Sequence, residues 1–434
     1  RTNSLAAASC VADMRRHIVR EAQTQLFRGD NCRVKSPEQM NLSPVVTSEA
    51  LAAPAEQWGS DHLAEVLRAL GVPFMAMVPG SSYRGLQDSI VNRLGNQAPR
   101  LVPATHEETA VAIAHGYAKV AERPMAAIVH ANVGLMRAVM AVYNAWCDRA
   151  PLLLLGATGP WDASRRRPWI DWIHTSADQG ALVRNFTKWD NQPASPSAAA
   201  DALLRAAQIA STAPRGPVYV NLDVSLQESK LAAPLPVPDV SRYAPPPPPE
   251  PSQAVVVQAA AMLSQAERPV ILAGRGSRSL ASWQQRIALA EKLRAPVVTH
   301  LMLPATFPTE HPLHVPSPGM YLSADAERLV ERADVILSLD WLDLAGTLKQ
   351  ACRRAPFSGA VIHVSCDAHS HRGWSADHQG LPPVDLYLLC ESDAALPRLI
   401  EAVLPRLDGP PVPPPHPTPH GVLGPLADAL ALAT

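Results

Sequence analysis

The amino-acid sequence predicts an α/β protein made of two doubly wound, parallel-sheet (Rossmann-like) domains. Three observations carry that reading. Short apolar runs repeatedly end in Gly/Pro/Ser turns and hand over to helical periodicity, the pattern of strand–turn–helix units. One run, residues 151–157 (PLLLLGA), is continuously apolar, as expected of a parallel strand covered on both faces. A Pro-rich stretch then separates one alternating set from another, and 434 residues are too many for one ordinary core.

Taken in order, residues 1–55 show no durable periodicity and are expected to form a disordered extension; Asp13, Glu21 and Asp30 argue against a targeting peptide. The first domain is placed at 56–227. Its first strand, 74–78, breaks at Pro79-Gly80-Ser81-Ser82 and leads into a helix over 84–94. A helix opens at His106-Glu107 and runs into a strand at 125–130, followed by a turn at 131–134 and the helical LMRAVMAVYNAW. Strands at 151–157 and 217–222 (PVYVNL) complete the set. Residues 228–252 form the Pro-rich tether. The second domain, 253–408, is expected to hold strands at 269–273, 296–300, 334–339 and 360–366 and a helix over 283–293. Residues 409–434 read as a second Pro-rich linker and the opening of a further, truncated domain.

A net charge of −1 offers no electrostatic footprint for nucleic acid or an anionic membrane. No apolar run is long enough to span a bilayer. The six cysteines (Cys10, Cys32, Cys147, Cys352, Cys366, Cys390) are scattered without a CxxC pair and read as reduced thiols of a cytoplasmic protein.

The most informative chemistry is Glu107. A carboxylate opening an Ala-rich, nearly uncharged helix is expected to be desolvated, which suits it to exchange a proton with a bound heterocycle. Alternatively, Glu107 and Glu108 only oppose a helix macrodipole. Gly274-x-Gly276 follows a strand but lacks the third glycine of a dinucleotide fingerprint, and reads as a tight turn. Cys366, Asp367, His369, His371 and His378 are close together but match no zinc spacing. Arg165-Arg166-Arg167 lies between Trp161, Trp169 and Trp172, and reads as a solvated loop or as a flap over a small-molecule site.

Residues 56–408 resemble the first two domains of thiamine-diphosphate (ThDP) enzymes of the acetolactate synthase and benzoylformate decarboxylase group. The resemblance rests on ordered motifs: Val78-Pro79-Gly80, His106-Glu107 with Gly116-Tyr117-Ala118, Asn144-Ala145 through Asp148-x-x-Pro151-Leu152, Asp178-Gln179, Thr187-Lys188 and Arg215-Gly216-Pro217-Val218. In the second domain Arg268-Pro269-Val270, Gly274, Gly276, Ala305-x-Phe307-Pro308, Gly319-Met320 and Ala333-Asp334 follow in the family's order. The resemblance implies that Glu107 is catalytic and pairs with N1′ of the cofactor's aminopyrimidine, favouring the tautomer that takes a proton from the thiazolium. It places Pro79, Gly80, Asn132 and Gly134 on the cofactor, and Ser81, His106 and Gln179 on the substrate, a 2-keto acid that is decarboxylated or joined to a second carbonyl.

The departures are equally specific. The family's third, diphosphate-binding domain carries a Gly-Asp-Gly motif that holds Mg²⁺; no such motif occurs here, so no metal ligand is expected in this chain and the chain alone is expected to be inactive. Residues 300–304 lack the glycines that accompany flavin, so FAD is not expected. Apolar domain faces imply a homodimer or homotetramer. Two other readings stay open, a non-catalytic two-domain subunit or regulator and an NAD- or FAD-binding protein.

Overall fold

A computed structural model of the chain describes residues 57–303, 305–317, 319–369 and 380–406. The expected extension at 1–55, the expected linker at 409–434, and His371 and His378 of the polar loop lie outside them.

The architecture is two six-stranded sheets, every strand parallel to its neighbours, within one compact unit. The first holds β1 (Phe74–Met77), β2 (Arg100–Pro103), β3 (Met125–Val129), β4 (Leu152–Thr158), β5 (Asp190–Asn191) and β6 (Pro217–Asp223), in the order β2-β1-β3-β4-β6-β5. The second holds β7 (Pro269–Ala273), β8 (Val297–Thr299), β9 (His314–Val315), β10 (Val335–Leu339), β11 (Ala360–Val364) and β12 (Leu386–Leu388), in the order β12-β11-β10-β7-β8-β9.

Burial explains why the strands read as continuous apolar runs. All five residues of β3 are buried, yet alternate ones serve different layers. Ala126 and Ile128 join the core under helices Gly59–Ala69 and Pro196–Ser211, whereas Met125, Ala127 and Val129 join the one under helices Glu107–Ala121 and Ala131–Cys147. The second sheet repeats the arrangement, with Ile271 and Ala273 on one face and Val270 and Leu272 on the other. Each fully buried Leu or Ile contributes about 1.5–3 kcal/mol, so the alternation fixes register strongly.

Two local expectations are corrected. The helix expected over 84–94 is α-helical only over Arg84–Asp88 and continues as a π-helical turn, Ser89–Arg93. Residues 131–134 are not a free turn: they are the first turn of the helix Ala131–Cys147, with Gly134 N–H bonded to His130 O at 2.5 Å. That entry is strained, because Ala131 holds a φ of 40°.

The strand order first reverses between β1 and β3 in the first sheet and reverses between β7 and β10 in the second, and ligands of such sheets bind outside the carboxyl ends at such a point. In the second sheet the crevice is entered by a side chain of the first domain. Arg149, which follows the helix Ala131–Cys147 at the amino edge of the first sheet, reaches Asp340 at 2.7 Å and also pairs with Asp367. Arg275, on the turn after β7, lies 3.7 Å from Asp340 and 3.9 Å from Asp367. Gly274 is required here, because a Cβ would meet Asp340 O at 2.2 Å; the Gly-x-Gly turn thus serves close backbone packing. Burial opposes the charge on Arg149, but Asp340 and Asp367 outweigh it and hold the guanidinium above its usual range. Burial and the charge of Arg149 push Arg275 the other way. The ion cluster therefore joins the two domains through Arg149.

Candidate active site

The reversal point of the first sheet gathers the polar residues that the fold does not need. Glu107 begins the helix after β2, residues 80–83 follow β1, and His130 follows β3, so three consecutive strands deliver their carboxyl ends to one place. The helix Glu107–Ala121 starts cleanly because His106 has extended backbone and its Nδ1 accepts the Glu108 amide. His106 is thus occupied as a cap, and Arg137 Nη1 approaches its Nε2 to 3.2 Å.

Glu107 is 9 % exposed, as its apolar surroundings lead one to expect, and its carboxylate has no hydrogen-bond partner among the described residues. A buried carboxylate without a donor is costly, and such exceptions concentrate at functional sites. Gly134 makes room for it: a Cβ there would stand 3.0 Å from Glu107 Oε1 and 3.2 Å from its Cγ. Gly80 does the same for His130, whose Cγ would lie 2.9 Å from an added Cβ. Tyr83 is 1 % exposed and its hydroxyl also lacks a partner among the described residues. Burial and the neighbouring Glu107 carboxylate push that phenol up, so it stays protonated and able to donate.

His130 is the residue that sequence reasoning missed. Its Nδ1 lies 2.7 Å from Ser82 Oγ, its ring meets Tyr83 edge-on at 6.4 Å, and it stacks on His174 at 4.8 Å. Burial lowers its proton affinity, with His174 acting in the same direction and Glu107 opposing. The only hint in the sequence is a polar residue closing the all-apolar strand β3.

The other expected residues fall unevenly. Ser81 is exposed, and its buried neighbour Ser82 makes the contact with His130. Pro79 is exposed at the rim, and Asn132 turns its Oδ1 onto the Val133 amide. Gln179 does not face a cavity: it is 0 % exposed, and its Nε2 donates to Ala157 O at 3.1 Å and Tyr219 Oη at 2.8 Å. Its amide nitrogen thus ties β4 to β6, while its Oε1 has no hydrogen-bond partner among the described residues. Residues 159–174, with exposed Trp161, Trp169 and Trp172, pass close to the site and bring His174 into it. Among the described residues no three His, Cys, Asp or Glu side chains form a metal cluster, and no helix is long and apolar enough to cross a membrane.

Residues 57–182 match the model of the thiamine pyrophosphate enzyme N-terminal TPP-binding domain, and residues 256–376 that of the thiamine pyrophosphate enzyme central domain. The chain belongs to the thiamine pyrophosphate enzyme family. Acetolactate synthase large subunits of Corynebacterium glutamicum and Lactococcus lactis are 27% and 28% identical to it, over 70% and 81% of this chain and 47% and 58% of theirs. Sulfoacetaldehyde acetyltransferase of Castellaniella defragrans is 27% identical over 74% of this chain and 52% of its own length. The chain therefore spans about half the length of the curated relatives it matches. Among solved structures, a putative thiamin diphosphate-dependent enzyme of Mycobacterium smegmatis superposes with a TM-score of 0.68 at 22% identity, covering 84% of this chain and 66% of that one. Benzoylformate decarboxylase of Polynucleobacter necessarius gives 0.66 at 22% identity, over 82% and 63% of the two chains. These structures share the fold of this chain.

The residues present fit a thiamine pyrimidine in this family member. An aminopyrimidine offers ring nitrogens and an exocyclic amine, which answer the unpartnered Glu107 carboxylate and the unpartnered Tyr83 hydroxyl. Gly134→Ala separates this role from stability. Replacing Gly inside a helix ordinarily stabilises by about 0.5–1 kcal/mol. Here the methyl crowds Glu107, and cofactor affinity is expected to fall about tenfold while the melting temperature holds or rises. Paired calorimetric and thermal-melt measurements would show both; unchanged affinity would mean that the carboxylate is not positioned for the ring.

Proposed function

We propose that this chain is the pyrimidine-binding and central part of a thiamine-diphosphate-dependent enzyme that decarboxylates a 2-keto acid or joins its acyl part to a second carbonyl. The observation that supports this most is the buried, unpartnered Glu107 carboxylate at the reversal point of the first sheet, under a glycine that leaves it accessible. Bound beside it, thiamine diphosphate supplies a nucleophilic thiazolium carbon for the 2-keto carbonyl.

The chain's own groups then have distinct tasks. Glu107 holds a proton at the pyrimidine ring nitrogen. Tyr83 offers its hydroxyl from the turn after β1. His130 keeps Nδ1 on Ser82 and leaves Nε2 without a hydrogen-bond partner among the described residues, free to give or take a proton on the substrate side. Cofactor contacts extend to Pro79, Gly80, Asn132 and Gly134, with Ser81 and His106 at the rim. The described residues offer no holder for Mg²⁺ or the diphosphate.

Association with another chain is part of the reading. The helix Ala131–Cys147 leaves Val133, Met136 and Met140 exposed on one side, with Met136 and Met140 at 55% and 56%, too much apolar surface to leave in water beside a site. Homodimers or homotetramers, in the cytoplasm, are the expected form.

Calorimetric titration of the full chain with thiamine diphosphate and Mg²⁺ tests the assignment. Weak but saturable binding, lost when the cofactor's pyrimidine is replaced by an inert ring, is expected. Equal binding of both compounds would remove Glu107 from the cofactor site and favour a non-catalytic scaffold.

A further inference from the structure

After β4 the chain makes a long excursion, residues 159–174 (GPWDASRRRPWIDWIH), before the sheet resumes. Its ends are tied together, because Gly159 N–H donates to His174 O at 3.3 Å, so it is a closed surface loop of the Ω type. Two carboxylates fix it from within. Asp171, 1 % exposed, accepts from the Arg167 amide at 2.6 Å and from its guanidinium at 2.9 Å. Asp223, at the end of β6, accepts the Trp161 amide at 2.6 Å. Such anchoring orders a loop whose tryptophans are otherwise in solvent, and its consequence is the placement of one side chain, His174.

The His174 ring lies over the His130 ring with centroids 4.8 Å apart and planes 25° apart. His174 Nδ1 is 2.7 Å from Ile170 O. A carbonyl can only accept, so Nδ1 carries the hydrogen and the ring is held in one tautomer and one orientation. Every other group facing His130 is accounted for: Ser82 on Nδ1, Tyr83 edge-on from the turn after β1, and Glu107 from its helix. The nearest further charges, Arg167 and Asp171, neutralise each other within the loop. His174 is therefore the group through which this loop can act on the site.

We propose that His174 is a positioning residue for His130. Its stacked ring keeps the His130 imidazole uncharged and fixed in orientation, so that Nε2 is the nitrogen available for proton transfer at the Glu107 site. The physical basis is that two imidazoles in face contact cannot both carry a proton without like-charge repulsion across a short, half-buried gap. The inference rests on the functional reading above, in which His130 handles a proton, but its test does not require cofactor.

The experiment is a proton titration of the ¹³C-histidine-labelled full chain by NMR, with the His130 signal identified by its loss in His130→Gln. Replacement of His174 by Phe keeps a stacked ring and removes the second ionisable group; the His130 midpoint is expected to rise by roughly half a pH unit. Replacement by Lys puts a lasting cation in the same place and is expected to lower it by at least as much. His174→Gln, which is smaller and polar, should shift the midpoint upward like Phe and serves if either of the others fails to fold. A loop with a merely structural role would not give opposite signs for Phe and Lys. A His130 midpoint that stays within about 0.2 unit of the wild type in the variants would overturn the proposal. Because the titration is read on the cofactor-free chain, failure of cofactor binding in calorimetry would remove the functional reading while leaving this coupling measurable.

Discussion

Glu107→Gln is expected to slow proton exchange at the thiazolium C2 of protein-bound thiamine diphosphate by about 10²–10⁴-fold, the span ordinarily supplied by a positioned acid–base group. The substitution keeps shape and volume and removes only the ionisable oxygen. Because the carboxylate makes no hydrogen bond within the described residues, no native hydrogen bond is broken. The helix loses one favourable charge at its first turn, worth about 0.3–1 kcal/mol, and Glu108 remains beside it. Stability should therefore change little while exchange collapses. Quenched-exchange NMR of the loaded protein, with a thermal melt of the same sample, separates the two effects. Exchange at the wild-type rate in a well-folded variant would end the assignment of Glu107.

The second large effect concerns stability, at the opposite edge of the first sheet. Arg149→Ala is expected to cost about 3–5 kcal/mol, because it leaves Asp340 and Asp367 facing each other in a buried crevice with their closest cation gone. Arg275→Met should cost much less. Its Nε and Nη1 have no hydrogen bond among the described residues, and it is already opposed by Arg149. Urea unfolding of the two variants measures the difference. Equal losses, or less than about 1 kcal/mol for Arg149→Ala, would show that the cluster does not hold the domains together.

The same crevice shows how sequence and structure divide the information. Residues 151–157 and 217–222 announce buried strands by composition alone, and the structure places β4 and β6 within one residue of those bounds. The Gly-x-Gly turn was also legible as a tight turn, but its partner was not. The contact between Gly274 and Asp340 joins the residues that follow β7 and β10, and Arg149 comes from the other domain. Nothing local in the chain encodes such distant pairs.

At the candidate site, Glu107 stands out locally as a carboxylate opening an apolar helix, whereas Gly134 is singled out only by the family resemblance. Ser82 falls in the 80–83 turn that the resemblance places on the substrate side, but His130 carries no mark, being an ordinary polar residue at the end of an apolar run. Gln179 shows the converse: a polar side chain expected at a ligand is fully buried and spends its amide on Ala157 and Tyr219. The helices Gly59–Ala69 and Gln253–Gln265 escaped the sequence reading as well, although the buried residues of the second, Val256, Ala259, Ala260 and Leu263, recur at helical spacing.

By itself the sequence determined that this is a two-domain parallel α/β protein with a carboxylate opening an apolar helix. Those features follow from periodicity and turn chemistry, which act over a few residues. Only the tertiary structure decided that Glu107, Tyr83, His130 and His174 share one place and that Arg149 enters the other crevice. These depend on strand order, and strand order is set by which faces pack, through contacts between residues far apart in the chain.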